Sequence, residues 1–360
     1  MKTTAAVLTE VGKPFEIVEL ELDGPQEGEV LVRYVAAGLC HSDLHLMKGD
    51  FPSRLPIVGG HEGAGVVEEV GPGVTKVKAG DHVLVSFIPS CSECRWCRTG
   101  HQNLCDLGEF LLDGQLPDGT FRFRLDGEDA GGMCSVGSFS QFGTLSQHSV
   151  IKVDESHPLE KAVLASCGVP TGWGTAVNAA GVSVGDTAVI YGSGGVGINA
   201  VQGAAAAGAK NVVVVDPVAF KRDTALKLGA THVFADAESA LEAVWEMTNG
   251  QGAEKAMVIV GDVNPEVVTH AFNVVGKAGT VAITAMARGT ISVSSCPPLS
   301  SRCSRRRSRA ASSVSSTRST TSPSCSTCTA AAGSSSMSWS PASTSSRRST
   351  RAIRTCSPAS

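Results

Sequence analysis

Residues 187–216 read TAVIYGSGGVGINAVQGAAAAGAKNVVVVD. The apolar run Thr187–Tyr191 predicts a buried strand, and a glycine-rich turn and a helical stretch follow it. Gly192, Gly194 and Gly197 match G-x-G-x-x-G in that strand–turn–helix setting. Such glycines permit a tight turn and let the backbone approach a pyrophosphate at the helix N-terminus. The stretch predicts a dinucleotide site, and a plain structural turn is the alternative.

An acidic residue, Asp216, ends the next predicted strand, 19 residues after Gly197. A carboxylate there accepts hydrogen bonds from a ribose 2′-hydroxyl and repels a 2′-phosphate, which favours NAD over NADP. A helix cap or a solvated loop carboxylate is the alternative. Lys221 could reach the adenosine ribose, but it is equally well explained as a solvated helix residue. The loop residues predicted to bind the cofactor are Gly192, Gly194, Gly195, Val196 and Gly197.

The chain around this stretch divides into three parts. Strand and helix patterns alternate through residues 161–295, which predicts an α/β unit with a parallel sheet and helices on both faces. Short β-like runs cut by Gly and Pro, such as Gly63–Val70, fill residues 1–160 and predict a β-rich domain. Residues 296–360 form the third part.

The third part has a different composition from the rest. It holds ten Arg and no Lys, Asp or Glu, whereas residues 1–295 hold 20 basic and 34 acidic side chains. It is rich in Ser and Thr and has few large apolar residues, so it cannot bury enough surface to offset the entropy of ordering. We predict that it is disordered. Its composition favours a wrong reading frame of a GC-rich gene, and a basic, serine-rich arm that binds nucleic acid or acidic partners is the alternative.

Bulk composition excludes several classes of protein. With 42% hydrophobic and 18% charged residues, the chain has a globular composition. No apolar run is long enough to span a membrane, and the first ten residues do not resemble a secretory signal. We therefore expect a cytoplasmic protein without membrane or nucleic-acid partners. In that reducing compartment, clustered cysteines indicate metal ligands rather than disulfides.

Four cysteines follow the spacing C-x2-C-x2-C-x7-C, at Cys91, Cys94, Cys97 and Cys105. Four thiolates this close can converge on one tetrahedral zinc and leave no position open, so we predict a structural zinc in residues 91–105. An iron–sulfur cluster uses similar spacing, but its motif has proline after the last cysteine and Asp106 stands here.

A second group, Cys40, His61, Glu62 and Cys167, is dispersed along the chain. Taken singly, each cysteine is most simply explained as a core residue, and the histidine as a polar residue whose hydrogen bonds are made within the protein. Their spacing alone does not join them, because their proximity depends on the fold.

Taken together, these residues resemble the zinc-containing medium-chain alcohol dehydrogenases. The resemblance runs from about Lys2 to about Ala285. Within the family, the chain looks most like actinobacterial nitrosodimethylaniline-dependent alcohol dehydrogenases, and it is similar to thiol-dependent formaldehyde dehydrogenases. The matching segments are Gly38–Asp43, Gly59–Gly71, the four cysteines, Gly137–Ser140, Cys167–Gly174, the glycine loop and Asp216.

The resemblance implies a GroES-like catalytic domain beside a Rossmann domain, with two Zn²⁺ per chain and NAD. The implied activity is oxidation of a small alcohol, or of a thiol hemiacetal of formaldehyde, to the aldehyde or thioester. Cys40, His61 and Cys167 are the implied catalytic zinc ligands. Glu62 is implied as a carboxylate beside that zinc or a transient ligand, and Asp43 as the partner that orients His61.

The family also implies roles for residues around that zinc. Ser42 and His45 match a proton relay from the substrate hydroxyl to solvent. His41 matches a contact to the pyrophosphate, and Thr171 a position beside the nicotinamide. Phe87 matches the wall of the substrate pocket.

The resemblance stops near residue 295. In the family, the following segment supplies a sixth strand and subunit contacts of a homo-oligomer. Because that segment differs here, we predict an unpaired sheet edge and impaired oligomerisation. Two alternatives to an active zinc enzyme are a zinc-free quinone-reductase-like enzyme and an inactive truncated product with a basic tail.

Overall fold

In the computed structural model of the chain, residues 1–50 and 52–285 are described in full, together with the backbone of residues 307–310 and 328–330. The strands are β1 (Lys2–Leu8), β2 (Glu16–Leu22), β3 (Glu29–Ala37), β4 (Ile57–Val58), β5 (Gly63–Val70), β6 (His82–Val85), β7 (Phe123–Leu125), β8 (Glu128–Gly132), β9 (Phe142–Ser146), β10 (Val150–Lys152), β11 (Thr187–Tyr191), β12 (Asn211–Val215), β13 (His232–Phe234), β14 (Ala253–Val258), β15 (Val275–Ile283), β16 (Arg307–Ala310) and β17 (Cys328–Ala330). The α-helices are α1 (His41–Lys48), α2 (Arg95–Arg98), α3 (Leu159–Ala162), α4 (Gly168–Gly174), α5 (Gly197–Ala206), α6 (Ala219–Lys227), α7 (Ala237–Met247) and α8 (Pro265–Val274). A π-helical turn at Thr175–Ala180 follows α4.

The amino-terminal strands form a closed barrel in the order β1-β2-β7-β8-β4 and a second sheet in the order β10-β6-β5-β3-β9. Alternate residues of β1 point inward, as a half-buried strand requires. Val7, Leu20 and Phe123 belong to the core of the barrel, and Val32 and Leu145 to the core of the second sheet. This part of the chain is β-rich, as the sequence predicts.

The carboxyl-terminal sheet is parallel throughout its order β13-β12-β11-β14-β15-β16-β17. All five residues of β11 are buried, because helices cover both faces of the sheet. One face packs on α5 through Ala200 and Val201, and the other on α7 and α8 through Val244 and Val274. The strand order reverses between β11 and β14, and ligands bind at the carboxyl ends of the strands at such a reversal.

Side-chain caps fix where two helices begin at that end of the sheet. The Asp236 carboxylate accepts the Ser239 N–H at 2.8 Å before α7, and the Asn264 side chain accepts the Val267 N–H at 2.9 Å before α8. Pro265 lies in the first turn of α8, where a backbone N–H would have no partner within the helix, so the lack of this donor costs little. Among the helices of the described part, none combines the length and apolar character needed to cross a bilayer.

The structure differs from the sequence-based prediction at the edge of β15. That edge is paired: β16 lies parallel to it with Thr280 opposite Arg307, and β17 pairs with β16. Residues 307–310 and 328–330 are therefore strands inside the segment predicted to be disordered. An open strand edge offers N–H and C=O groups that any extended backbone can pair, whatever its side chains. The rest of that prediction lies outside the described residues.

Candidate active site and metal centres

A cavity of about 700 Å³ lies at the carboxyl ends of β11, β12 and β14 and reaches α1. Its position is the one expected for a ligand site in a parallel sheet. The sequence-predicted residues that line it are Cys40, His41, Ser42, His45, His61, Phe87, Cys167, Thr171, Gly192, Gly194, Gly195, Val196, Gly197, Asp216 and Lys221.

The fold brings the four dispersed residues together at one end of this cavity. One ligand atom from each of Cys40, His61, Glu62 and Cys167 lies within 4.8 Å of all the others. Cys40 is the N-cap residue of α1, Cys167 that of α4, and His61 and Glu62 precede β5. Two thiols, an imidazole and a carboxyl group so arranged match the donors that zinc prefers.

Asp43 ties two of these residues to α1. One oxygen of its carboxylate accepts the backbone N–H of Cys40 at 2.8 Å, and the other lies 3.2 Å from Nδ1 of His61. Because the carboxylate can only accept, Nδ1 carries a hydrogen and Nε2 is free to face a metal. Both side chains are buried, so the ring orientation is fixed.

Close contacts within this cluster shift the pKa values of its side chains. A hydrogen bond with Cys167 lowers the pKa of Cys40 to about 3 against the opposing effect of burial, and His61 contributes in the same direction. Hydrogen bonding to Cys40, together with burial, raises the pKa of Cys167 well above its usual range. Burial raises the pKa of Glu62 to about 7. The arrangement suits a divalent cation that displaces these protons.

The second group of ligands is the cluster of Cys91, Cys94, Cys97 and Cys105, whose sulfurs lie within 4.8 Å of one another. The sulfurs of Cys91 and Cys97 are 3.9 Å apart. Two sulfurs bound to one tetrahedral zinc at their usual bond length are separated by about 3.8 Å. Backbone N–H groups of Cys97 and Asp106 lower the pKa of Cys94 to about 7. These residues therefore fit zinc bound by four thiolates.

The glycine loop has the geometry that a dinucleotide requires. Gly192 has a φ of 90°, and a Cβ there would collide with the carbonyl of Ile259. A Cβ on Gly197 would collide with the carbonyl of Gly192, so the absence of a side chain lets the start of the helix pack closely against the turn after β11. A Cβ on Gly194 or Gly195 would meet no atom within 4 Å, so backbone is exposed to the cavity there.

Asp216 is buried at the end of β12 and lines the cavity. Its Oδ2 accepts the backbone N–H of Ser193 at 2.9 Å, and its Oδ1 accepts the N–H of Val218 at 2.9 Å. The Nζ atom of Lys221 lies 4.0 Å from Oδ2. The carboxylate is thus held rigidly beside the glycine loop, and the Lys221 ammonium lies near it.

The remaining predicted residues surround the cavity between its two ends. The Oγ atom of Ser42 is 3.7 Å from the Cys40 sulfur, and Oγ1 of Thr171 is 3.9 Å from the Cys167 sulfur. The ring of Phe87 packs edge-on against His61, with centroids 5.7 Å apart. His41 and His45, on consecutive turns of α1, have ring centroids 5.9 Å apart.

Comparison with known proteins agrees with this geometry. Residues 26–155 match the family "Alcohol dehydrogenase GroES-like domain", and residues 195–322 match the family "Zinc-binding dehydrogenase". The chain is 67% identical to the putative alcohol dehydrogenase D of Mycobacterium tuberculosis over 287 residues, which is 80% of this chain and 78% of that protein.

The chain belongs to the zinc-containing alcohol dehydrogenase family.

Two further relatives support the assignment. The NDMA-dependent alcohol dehydrogenase of Amycolatopsis methanolica is 66% identical over 80% of this chain and 77% of that protein. The crystal structure of benzyl alcohol dehydrogenase from Acinetobacter calcoaceticus superimposes with a TM-score of 0.74 and 31% identity over 81% of this chain and 79% of that one. The predicted family, fold class, zinc-dependent alcohol oxidation and nicotinamide cofactor are confirmed, and the zinc-free alternative is disfavoured.

Sequence reasoning missed several residues of this alcohol dehydrogenase site. Leu112, Met133 and Cys134 line the cavity together with Phe87. Cys134 is partly buried and lies in the left-handed region at φ 54°, so its position depends on a local turn rather than on a spacing motif. Asp50, which contacts His45, was missed for the same reason.

Proposed function

We propose that this alcohol dehydrogenase oxidises a primary alcohol with an apolar substituent to its aldehyde, with NAD as the hydride acceptor. One observation carries the proposal: the cluster of thiol and imidazole ligands and the glycine loop line a single cavity. A substrate oxygen at the cluster and a nicotinamide bound along the loop would be enclosed in the same space.

Cys40, His61 and Cys167 would hold the catalytic zinc, in the Cys2His set already known for alcohol dehydrogenases. When bound, zinc withdraws electron density from an alcohol oxygen, and the nicotinamide accepts a hydride. Asp43 holds the His61 ring so that Nε2 faces the ligand cluster. Glu62, beside the cluster, would serve as a transient ligand or a nearby negative charge.

Ser42 and His45 would carry the proton away from the alcohol. Both line the cavity, and the Ser42 hydroxyl lies next to the Cys40 sulfur at the ligand cluster. A hydroxyl can accept one proton while it donates another, so it can pass a proton on without a change of charge. His45 would be the next acceptor, since a neutral imidazole has one ring nitrogen with a free lone pair.

Several contacts support NAD as the preferred cofactor. Asp216 presents a negative charge where a ribose 2′-hydroxyl would bind, and a 2′-phosphate would be repelled. The loop Gly192–Gly197, with Gly195 and Val196 on the cavity, would bind the pyrophosphate, assisted by His41. Thr171, close to Cys167, would pack beside the nicotinamide, and Lys221 would contact the adenosine ribose.

The substrate class follows from the apolar side chains that line the cavity. Phe87, Leu112, Met133 and Cys134 are side chains of low polarity in the wall of this cavity. An alkyl or benzyl substituent would bury its apolar surface there. The structural neighbour named benzyl alcohol dehydrogenase supports an aromatic primary alcohol as one candidate. A thiol hemiacetal of formaldehyde is the alternative substrate, and its carrier would need polar partners beyond this wall.

The second zinc, on Cys91, Cys94, Cys97 and Cys105, would be structural. We also propose a cytoplasmic location, because all seven cysteines of the described part are free thiols and both clusters need reducing conditions. Small alcohols and NAD would be the partners, and homo-oligomerisation of this chain would be impaired by its altered carboxyl-terminal segment.

The test is zinc analysis and kinetics of the purified full chain. We expect two zinc ions per chain and oxidation of primary alcohols with NAD or with nitrosodimethylaniline as the final acceptor. Cys40→Ser should lose one zinc and all turnover, whereas Cys134→Ser, which removes a thiol outside both clusters, should retain both ions. Full activity of Cys40→Ser would overturn the assignment. A requirement for added thiol with formaldehyde would identify the alternative substrate.

The origin of residues 296–360 stays a prediction. Sequencing the gene across the codon for Ser295 in an independent isolate tests it. A changed frame in that isolate, restoring acidic and lysine residues, is the expected result. The same serine- and arginine-rich segment in the isolate would contradict it.

A further inference from the structure

His45 has an acidic partner, largely shielded from solvent, for which the proposed proton relay gives no role. Its Nδ1 atom lies 2.6 Å from Oδ2 of Asp50, and the two side chains are only 8% and 10% exposed. This is a short hydrogen bond in a mostly desolvated position, where charge-assisted bonds are strongest.

The end of α1 determines this pairing. Gly49 takes the left-handed conformation at φ 73°, which ends the helix and turns the chain back over its last turn. Asp50 then donates its backbone N–H to the carbonyl of His45 at 3.0 Å. A Cβ on Gly49 would lie 2.5 Å from a methyl group of Val11, so both the conformation and the packing require glycine. The turn therefore places the Asp50 carboxylate against the His45 ring.

The pairing fixes which ring nitrogen can accept a proton. A carboxylate only accepts hydrogen bonds, so Nδ1 of His45 carries the hydrogen that joins it to Asp50. The lone pair is then on Nε2, the other nitrogen of a ring that lines the cavity with Ser42. When Nε2 takes a proton, the resulting imidazolium is next to a negative charge at 2.6 Å. The same logic orients a histidine base by an acidic partner in hydrolytic triads.

We propose that Asp50 is a positioning residue for proton transfer, which holds His45 in the tautomer that accepts the alcohol proton at Nε2. The inference rests on the proposed function. In the forward reaction, the alcohol O–H bond breaks and its proton passes through the Ser42 hydroxyl to Nε2 of His45. The hydride leaves the same alcohol carbon for the nicotinamide, and His45 later releases its proton to solvent. The sum is one alcohol and NAD giving aldehyde, reduced cofactor and one proton.

The first test reads the tautomer directly, without turnover. The full chain is labelled with ¹⁵N in the histidine rings, and the His45 signals are assigned by their loss in His45→Gln. We expect a protonated Nδ1 and an unprotonated Nε2 in the unmutated chain, and a mixture of tautomers in Asp50→Asn. The control is Asp81→Asn, which neutralises another buried carboxylate, paired with Lys152 outside the cavity. It should leave the His45 signals unchanged.

The second test is kinetic. Loss of a partner that orients an active-site ligand or base costs about tenfold to a hundredfold in activity, and we expect that loss in kcat for Asp50→Asn. In the His45→Gln background, Asp50→Asn should cause no further loss, because its effect acts through His45. Asp50→Ser replaces Asp50→Asn if the latter cannot be purified folded.

The outcomes separate the two proposals. Unchanged His45 tautomers and unchanged kcat in Asp50→Asn, in a chain that oxidises alcohols, overturn the role of Asp50 and leave the dehydrogenase function intact. A further loss in the His45→Gln background also overturns it. If the chain oxidises no alcohol at all, the proposed function fails, and the ring spectra alone then decide whether Asp50 sets the tautomer.

Discussion

Gly38 leaves the space that the Glu62 carboxylate occupies: a Cβ at position 38 would overlap Oε2 and lie 2.9 Å from Cδ. Gly38 immediately precedes the segment that carries Cys40, and its backbone N–H donates to the carbonyl of Glu62 at 3.2 Å. The position of the carboxylate beside the ligand cluster thus depends on the absence of a side chain at residue 38.

Gly38→Ala should therefore impair catalysis while the fold is kept. The φ of Gly38 is outside the left-handed region, so alanine brings no strain from a positive φ, and the overlap with the carboxylate is relieved when the flexible end of the Glu62 side chain moves. We expect kcat/KM to fall by about tenfold or more, because groups beside metal ligands affect activity on that scale. Gly24→Ala, where a Cβ meets no atom within 4 Å, is the control. Equal kcat/KM values for the two variants would show that the place of Glu62 is not important.

Loss of the four-cysteine site should lower stability without emptying the catalytic site. Cys97 is buried in that cluster, and Cys97→Ser should reduce the zinc content from two ions to one. Metal binding contributes directly to the folding of such a lobe, so Tm should fall and trypsin should cut faster at Arg95 and Arg98. Cys40→Ser is the complementary variant, since it should lose the other ion and keep the lobe resistant to trypsin. Trypsin resistance of Cys97→Ser equal to that of the unmutated chain would refute the structural role.

The ion pair of Asp81 with Lys152 should make stability depend on pH. The Lys152 ammonium, 2.6 Å away, lowers the pKa of Asp81 below its ordinary value despite the opposing effect of burial. The folded state therefore binds this proton less readily than the unfolded state. Its contribution to stability is complete above the ordinary aspartate pKa of about 3.9 and is lost as the pH falls below it.

Asp81→Asn should accordingly be less stable than the unmutated chain at pH 7, and the difference should shrink in acid. Urea denaturation at several pH values measures it, because comparison at each pH cancels effects common to both proteins. Exposed Asp154, whose carboxylate caps a local turn, offers Asp154→Asn as a control with a smaller effect. A difference in unfolding free energy that stays constant down to pH 3 would contradict the assignment.

Local sequence patterns predicted the parts of this protein that are themselves local. The strand Thr187–Tyr191 and its glycine turn are read correctly because a buried run and a tight turn each impose composition on consecutive residues. The four cysteines likewise lie within one short lobe. The pairing of β16 with β15 was not predicted, because it rests on backbone hydrogen bonds rather than on a side-chain pattern.

The catalytic cluster could not be predicted from spacing. Cys40 and Cys167 are far apart in sequence, and the fold alone brings their sulfurs together. The resemblance to a known family identified these ligands, which periodicity alone could not. It did not supply Asp50 or Cys134, since their positions depend on left-handed turns at Gly49 and at Cys134 itself.

Asp216 should determine the choice between NAD and NADP. Its carboxylate is held by the N–H groups of Ser193 and Val218 at 2.9 Å each, so it cannot swing away from a 2′-phosphate. Like charges placed against each other in a binding site cost several kcal/mol, and Asp216→Ser removes that cost. Lys221, now 4.0 Å from the carboxylate, would then be free to attract the phosphate.

We therefore expect the ratio of kcat/KM for NAD over NADP to fall at least about tenfold in Asp216→Ser, with a weaker affinity for NAD. Asp223→Ser removes the same charge from an exposed position on α6 and should leave the ratio unchanged. Initial rates with each cofactor at saturating alcohol give the ratio. The same fall in both variants would indicate a long-range charge effect. No fall in Asp216→Ser would mean that other residues recognise the adenosine ribose.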